Sequence, residues 1–179
     1  IAERKIDEYY SIHGKKSFVL NVSLADSFVT LCKEPKEGWM TLIIEREKDG
    51  IEIHSIEKMG WRMITSGDLL FKEVPVSLGN RIGREGEGMA HVNHCYQTMG
   101  LKSAAQALGT AQGAFDRAMQ YAKQREQFGR KLSQFQTIRH KLADMAVSIE
   151  VARWLTYKAA TEYDHKKIDP WFLSITQLE

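Results

Sequence analysis

The sequence predicts an α+β protein in which an antiparallel β-barrel or sandwich domain is followed by an antiparallel helical bundle. Two observations carry this prediction. Residues 9–76 read as short segments rich in β-branched and aromatic residues, whereas the later part repeats apolar or small residues at helical spacing. Strands that precede helices, without alternating with them, favour separate β and α layers. We therefore expect a β domain over residues 1–77, a connection over 78–90 and a partial helical bundle over 91–179.

The first half contains five candidate strands. They are the segments 17–22, 26–33, 39–47, 50–56 and 67–76. Residues typical of turns separate them. These turn signals are His13-Gly14, Glu34-Pro35, Lys48-Asp49-Gly50 and Met59-Gly60. Several short strands with tight turns indicate an antiparallel barrel or sandwich.

The second half shows two helical stripes. The first covers residues 92–122 and is rich in alanine, which would let another helix approach closely. The second covers residues 135–163, with apolar residues in steps of three and four. Asp169-Pro170 then fits an N-cap followed by proline at the first helical position. This dipeptide predicts the start of a third helix.

Composition leaves the function open. The formal net charge of +2 gives no reason to expect nucleic acid or a membrane surface as the partner. The only cysteines, Cys32 and Cys95, lie far apart, which fits a reducing compartment. No membrane span and no signal peptide are recognisable. We expect a cytoplasmic protein, with the mitochondrial matrix as the alternative, and we interpret the chain as an internal piece of a longer protein.

Several kinds of site chemistry have little support. His91, His94 and Cys95 lie at helical spacing, but no matching metal ligands occur elsewhere at a recognised spacing. The segment "GREGEG" (residues 83–88) lacks the Gly-Lys-Ser/Thr ending of a phosphate loop, which favours a flexible turn between domains. The hydrolytic motifs G-x-S-x-G and HExxH are missing.

The segment "KQREQFGRKLSQFQ" (residues 123–136) marks a break between the two helices. Ser133 and Gln136 fit a capping box, and Gly129 can end the first helix. These signals leave Arg125 and Phe128 unexplained. Since they are three residues apart, both can face one side of the last helical turn. An arginine beside the free N–H groups of the next helix suits a pyrophosphate, although a solvated basic helix end is the commoner arrangement.

Four longer segments follow one another in a recognisable order. They are "EYYSIHGKKSFVLNVSLADSFVTLCK", "GIEIHSIEKMGWRMITSGDLLFKEVPV", "NRIGREGEG" and "AAQALGTAQGAFDRAMQYAKQREQFGRKLSQFQTIRHKLADMAVSIEVAR". In this order they resemble the acyl-CoA dehydrogenase family across essentially the whole chain. The resemblance implies an N-terminal helical domain, a middle β domain and a C-terminal four-helix bundle, with FAD between the last two. This chain would cover most of the β domain and about two helices of the bundle.

The resemblance implies FAD as the cofactor and assigns residues to it. Arg125, Gln127 and Phe128 match positions that contact the pyrophosphate and adenosine portion of a neighbouring subunit's FAD. Phe135 and Gln136 match the cofactor position at the start of the next helix. A site built from two chains implies a homodimer or a homotetramer.

The segment Phe18, Val19 and Leu20 matches a strand that lies against the flavin ring. Leu20 departs from the family pattern, which usually has Thr or Ser there, because it has no hydroxyl for the flavin N5 region. Gly100 stands where the family usually has an Arg, and Met99 stands at the preceding position, where some branches of the family have a Glu base. The segment therefore supplies no catalytic residue.

The resemblance implies α,β-dehydrogenation of an acyl-CoA thioester. A carboxylate removes the α proton while FAD takes the β hydride, and the electrons pass to an electron-transfer flavoprotein. One alternative is a catalytically divergent acyl-CoA dehydrogenase-like protein, or an accessory subunit that completes a partner's FAD site. A binding module without flavin ancestry is the remaining alternative.

Overall fold

The protein is described by a computed structural model in which the residues form two compact units. The described residues are 1–5, 9–36, 38–167, 169, 172 and 176. The units are Ile1–Asn93 and His94–Glu179. The first is built mainly of strands and the second mainly of helices.

The strands of the first unit form two antiparallel sheets. They are β1 (Ala2–Lys5), β2 (Tyr9–Leu20), β3 (Ser27–Glu34), β4 (Gly38–Glu45), β5 (Ile51–Ser55), β6 (Ser66–Ser77) and β7 (Arg81–Ile82). One sheet has the order β1-β2-β6-β5 and the other the order β3-β4-β7. Neither sheet closes into a barrel within the described ranges, so the strands form the sandwich alternative of the predicted class.

The core of this unit lies between the two sheets. Strand β3 shows why, since Phe28, Thr30 and Cys32 are buried while Val29 and Lys33 are exposed. The buried apolar cluster draws on both sheets and includes Tyr10, Ile12, Phe28, Met40, Leu42, Ile44, Leu69, Phe71, Val74 and Val76. Burying one such side chain contributes roughly 1.5–3 kcal/mol. This cluster is the scaffold that holds the exposed ends of the strands in place.

Four of the five predicted strands are confirmed as β3–β6. The first, predicted over residues 17–22, covers only the end of β2, since β2 begins at Tyr9 and residues 21–22 lie in a turn. The turn predicted at His13-Gly14 is wrong. Strand β2 continues through these residues. Ile12 pairs with Val74 and Gly14 pairs with Phe71, so β6 carries an extra residue opposite His13. The glycine signal belongs to a β-bulge, which bends a strand without ending it.

Residues 83–87, within the segment where the sequence predicts a turn, form bends and turns between two elements of regular structure. A 3-10 turn over Leu78–Asn80 leads into β7, and the first helix, α1, spans Gly88–Gln124. A Cβ atom at Gly88 would lie 2.6 Å from the backbone nitrogen of Met40. Only glycine allows the helix to begin this close to the backbone of β4.

The second unit contains most of α1 and the helix α2 (Gln136–Asp164). The hydroxyls of Thr98 and Tyr163 are 2.9 Å apart, and Arg153 Nη2 donates to Gln112 Oε1 over 2.6 Å. A residue early in α1 thus meets one late in α2, so the helices are antiparallel, as predicted. Their buried residues in this unit are Gly100, Ala104, Leu108, Ala122, Ile149, Thr156 and Ala159.

The helix predicted to open at Asp169-Pro170 falls on a stretch that lies mostly outside the described residues. Within the described helices, none combines the length and the apolar character needed to cross a membrane.

Candidate functional site

The break between the two helices is a β-hairpin. Helix α1 ends at Gln124, and the two-residue strands β8 (Glu126–Gln127) and β9 (Arg130–Lys131) pair with each other. Phe128 and Gly129 connect them with φ angles of 53° and 74°. Positive φ at both central residues is the pattern of a type I′ turn, which matches the twist of a hairpin. The amide of Leu132 donates to the carbonyl of Arg125 over 2.9 Å and closes the base of the hairpin.

The hairpin presents cationic and aromatic side chains to solvent. Phe128 is 93% exposed, and Arg125 and Gln127 are exposed as well. Within the described part of the chain, the Arg125 guanidinium has no carboxylate partner. The guanidinium carbon of Arg130 lies 4.0 Å from the ring centroid of Phe135. A guanidinium can bind a phosphate group, and an exposed aromatic ring can stack on a planar base, so the hairpin offers both kinds of contact.

The structure corrects the local predictions for this segment. Helix α2 has Phe135 as its N-cap and no side-chain cap, because Ser133 lies in a 3-10 turn over Leu132–Gln134. Gly129 does not end α1 but forms the hairpin turn. Arg125 lies beyond the end of α1 and does not share a helical face with Phe128. The two-residue strands interrupt the helical pattern on which those predictions depended.

The predicted cofactor residues of this unit nevertheless lie close together in the chain. Arg125, Gln127 and Phe128 belong to the hairpin, Phe135 is the half-buried N-cap of α2, and Gln136 is its exposed first residue. The Gln127 side chain donates to the carbonyl of Glu126 over 2.7 Å. The binding roles of these five residues remain predictions.

The three other predicted site residues lie at the end of β2 in the first unit. Phe18 has a φ angle of 59° and is 62% exposed, and Leu20 is 46% exposed. Val19, between them, packs against the core cluster. A bulky side chain at positive φ is strained, and such strain persists only where the surroundings enforce it.

Phe18 and Leu20 line a pocket of about 510 Å³ together with residues 56–61. The wall opposite the strand includes Met59, 96% exposed, and Trp61, 54% exposed. Lys58 Nζ donates to the carbonyl of Ile64 over 2.6 Å and to Ser66 Oγ over 2.7 Å, which ties the two ends of this loop together. The result is an open, largely apolar cleft with room for a planar ring.

Sequence reasoning did not assign Met59 and Trp61 to a site. Their signal was the loop "KMGWRM" (residues 58–63), in which two methionines and a tryptophan surround the turn glycine. Three large apolar residues in one short loop are unusual, since loops are generally polar.

The three residues considered as metal ligands do not share a common set of neighbours. His91 Nδ1 is 3.2 Å from Thr41 Oγ1, and the His94 ring stacks near Tyr163 with centroids 6.4 Å apart. Cys95 is exposed. No group of three potential metal ligands occurs among the residues that can be described.

The positions of the Arg and of the alternative Glu base that the resemblance implies lie on α1. Met99 is 56% exposed and Gly100 is buried. Neither side chain can accept or donate a proton, so this stretch of α1 provides no acid or base at these positions.

The chain combines a β-sandwich with long antiparallel helices, and both parts match models of known protein domains. The family model for the acyl-CoA dehydrogenase middle domain matches residues 2–74, and that for the acyl-CoA dehydrogenase C-terminal domain matches residues 86–178. The chain belongs to the acyl-CoA dehydrogenase family. Members of this family use FAD.

Curated relatives include enzymes that differ in name and substrate. The chain is 40% identical over 158 residues to a short-chain specific acyl-CoA dehydrogenase of Clostridium acetobutylicum, covering 86% of this chain and 42% of that protein. It is 34% identical over 165 residues to the caffeyl-CoA reductase-Etf complex subunit CarC of Acetobacterium woodii, covering 89% and 44%. The chain therefore spans less than half the length of these relatives.

Solved structures agree with the fold. Butyryl-CoA dehydrogenase of Megasphaera elsdenii matches with a TM-score of 0.91 at 34% identity, covering 98% of this chain and 47% of that one. A probable acyl-CoA dehydrogenase of Mycobacterium abscessus matches with a TM-score of 0.92 at 32% identity, again covering 98% and 47%.

Proposed function

We propose that the protein is a flavin-dependent oxidoreductase that acts on an acyl-CoA thioester. The observation that carries the proposal is the hairpin at residues 125–131. It presents a guanidinium that has no carboxylate partner among the described residues and an aromatic ring that is 93% exposed, in a family that uses FAD. The Phe128 ring is too exposed to contribute much to the stability of the hairpin itself. Its side chains are explained if they bind a ligand with phosphates and a planar base.

The chain offers suitable residues for two separate parts of FAD. Arg125 would bind the pyrophosphate, Phe128 and Gln127 would contact the adenosine, and Phe135 and Gln136 would add contacts at the start of α2. Phe18 and Leu20, with Trp61, would lie against the isoalloxazine ring in the apolar pocket of the first unit. We assign the hairpin contacts to the FAD of a neighbouring subunit, so that a homodimer or homotetramer would be required.

When bound, FAD would accept the hydride that leaves the β carbon of the substrate. The residues of this chain would bind and orient the cofactor and exclude water from one face of its ring. Because Met99 and Gly100 cannot transfer a proton, we assign no general base to this segment. Proton removal from the α carbon would fall to a residue elsewhere in the full protein.

The electron partner would be an electron-transfer flavoprotein. Support comes from the relative of Acetobacterium woodii, whose name places it in an Etf complex. Other relatives are named as dehydrogenases and as reductases, such as the 3-(aryl)acrylate reductase of Clostridium sporogenes. The direction of the reaction would therefore follow the redox potential of the partner and the substrate pair.

One observation favours a second candidate, a divergent family member that serves as an accessory subunit. Leu20 is exposed to the pocket but has no hydroxyl for the flavin. Such a subunit would complete a partner's FAD site through Arg125 while its own pocket stays without flavin.

Cofactor retention tests the proposal. The purified full-length protein should show flavin absorbance, either as isolated or after addition of FAD. Replacing Arg125 by Ala should weaken FAD binding about tenfold or more, because a charge-assisted hydrogen bond contributes roughly 1.5–3 kcal/mol. Arg117, an exposed residue on α1, gives the matched control Arg117→Ala, which should leave binding unchanged.

Two results would contradict parts of the proposal. Absence of flavin under both conditions excludes the homomeric enzyme and leaves the accessory subunit. Equal FAD retention in Arg125→Ala and Arg117→Ala removes the hairpin from the cofactor site.

A further inference from the structure

We propose that Asp68 is a positioning residue that holds the bulge in β2 and so directs Phe18 and Leu20 into the pocket they line. The inference rests on the proposed function, in which that pocket takes the flavin ring. Asp68 lies on β6, beside the pocket strand.

The bulge reverses the side-chain alternation of β2. Before it, Tyr10 and Ile12 are buried, and Lys16 Nζ reaches the second sheet to donate to the carbonyl of Leu31 over 2.8 Å. After it, Val19 packs on the core while its neighbours are exposed. Even-numbered residues of β2 thus face the core before the bulge, and odd-numbered residues face it after the bulge.

Without the bulge, Phe18 and Leu20 would continue the even-numbered face and point into the core. A shift of one residue moves every following side chain to the other side of a sheet. The composition of the pocket therefore depends on the bulge. Any residue that stabilises the bulge also determines which side chains line the pocket.

Asp68 occupies the position opposite the bulge. Lys16 pairs with Leu69 and Val19 pairs with Gly67, so Asp68 alone faces two residues of β2. Those two residues are Ser17 and Phe18. A bulge interrupts the hydrogen-bond ladder, and the ion pair between Asp68 and Lys15, which lies just before the bulge on β2, ties the two strands together at this point.

The charge environment of Asp68 agrees with this role. Lys15 Nζ lies 2.5 Å from Asp68 Oδ2, and the aspartate side chain is only 20% exposed. The hydrogen bond from Lys15 lowers the pKa of Asp68, against burial that raises it, and the Ser17 hydroxyl and Phe18 backbone N–H lower it further. Asp68 Oδ1 is buried without a hydrogen-bond partner among the described residues, so the contact that holds the carboxylate at hydrogen-bond distance is the one between Oδ2 and Lys15.

The experiment compares Asp68→Ala and Asp68→Asn with wild type in the full-length protein. Glu52→Gln is the matched control, because Glu52 forms a similar pair with Lys72, at 2.6 Å, on the same sheet. Hydrogen exchange of the Ser17–Leu20 amides and the absorption and fluorescence of bound FAD are measured for each. Loss of about one charge-assisted hydrogen bond predicts roughly tenfold faster exchange in Asp68→Ala.

The expected pattern is faster exchange and a shifted flavin spectrum in Asp68→Ala, a smaller change in Asp68→Asn, and no change in Glu52→Gln. Unchanged exchange in a folded Asp68→Ala overturns the inference, and Asp68→Asn decides it if the alanine variant does not fold. Faster exchange with an unaltered flavin spectrum also overturns it, since Asp68 would then support only the strand. Absence of FAD from the wild type contradicts the proposed function, while the exchange result still decides whether Asp68 holds the bulge.

Discussion

Phe18 in the first unit and Phe128 in the second adopt nearly the same backbone conformation, with φ angles of 59° and 53°, but their surroundings differ. Phe18 lies within a long strand that pairs with β6 and is backed by a buried core. Phe128 lies at the tip of a hairpin whose strands have two residues each. The strain at Phe18 is therefore held by long-range packing, whereas the strain at Phe128 depends on the adjacent glycine and a few local hydrogen bonds.

The largest expected effect comes from removing a side chain of the buried core cluster that backs the strand of Phe18. Phe71 is 1% exposed and pairs with Gly14 on one side and Ile51 on the other. Phe71→Ala should destabilise the protein by about 3–5 kcal/mol through loss of burial and a residual cavity. Urea unfolding measures the change, and Phe128→Ala is the comparison, which should alter stability by less than about 0.5 kcal/mol. Equal losses in both variants would contradict the contrast between the two regions.

The next largest effect on stability concerns Gly129, the glycine next to Phe128 in the hairpin turn. Gly129 has a φ angle of 74°, so Gly129→Ala should cost about 1–2 kcal/mol because a Cβ disfavours this conformation. Gly113, on α1, should respond oppositely, since a Cβ added there would meet nothing within 4 Å among the described residues. Gly113→Ala should stabilise by roughly 0.5–1 kcal/mol, because alanine favours a helix. Thermal unfolding of both variants checks the signs, and a gain in both would remove the backbone requirement at Gly129.

A smaller effect concerns the chemistry of the pocket. Leu20→Thr introduces a hydroxyl at an exposed position, on a β-branched residue that suits a strand. If the pocket takes flavin, the variant should alter the flavin absorption spectrum and tighten binding by up to about tenfold, the value of one hydrogen bond. Val29→Thr on β3, also exposed, is the control. Identical flavin spectra for the wild type and Leu20→Thr would mean that residue 20 does not contact the flavin N5 region.

The smallest effect is the pH dependence from Asp68. Its pKa is lowered below the ordinary 3.8 by the hydrogen bond from Lys15. A lowered pKa stabilises the fold above the ordinary value, and this contribution is lost as the pH falls through the folded value. The stability difference between wild type and Asp68→Asn should thus be constant near neutral pH and shrink in acid. Urea unfolding at several pH values checks it, and a difference that grows in acid would contradict the assignment.

The sequence predicted the elements of regular structure better than the exceptions within them. The strands β3–β6 and the helices α1 and α2 follow from residue composition and helical spacing, because both are properties of many residues at once. The bulge at Ser17–Phe18 could not be predicted, since Phe18, Val19 and Leu20 are all apolar and their alternation is ambiguous. Which of them faces the core is decided by pairing with β6.

The candidate site shows the same division. Arg125 and Phe128 stood out in the sequence as unexplained residues, and the structure places both in an exposed hairpin. That hairpin was missed because Phe-Gly is not one of the common type I′ dipeptides, and because Ser133 and Gln136 offered a plausible cap. The cap failed since a 3-10 turn precedes α2. Roles toward a cofactor came only from the family resemblance.

The glycine at which α1 begins affects where two family members can be joined in a chimera. Gly88 touches the backbone of Met40, so the first turn of α1 is fitted to β4 and belongs with the strands. The compact units divide after Asn93, several residues into the helix. A chimera that exchanges the helices of two family members should therefore place its junction after Asn93, so that each parent contributes the first turn together with its own sheet.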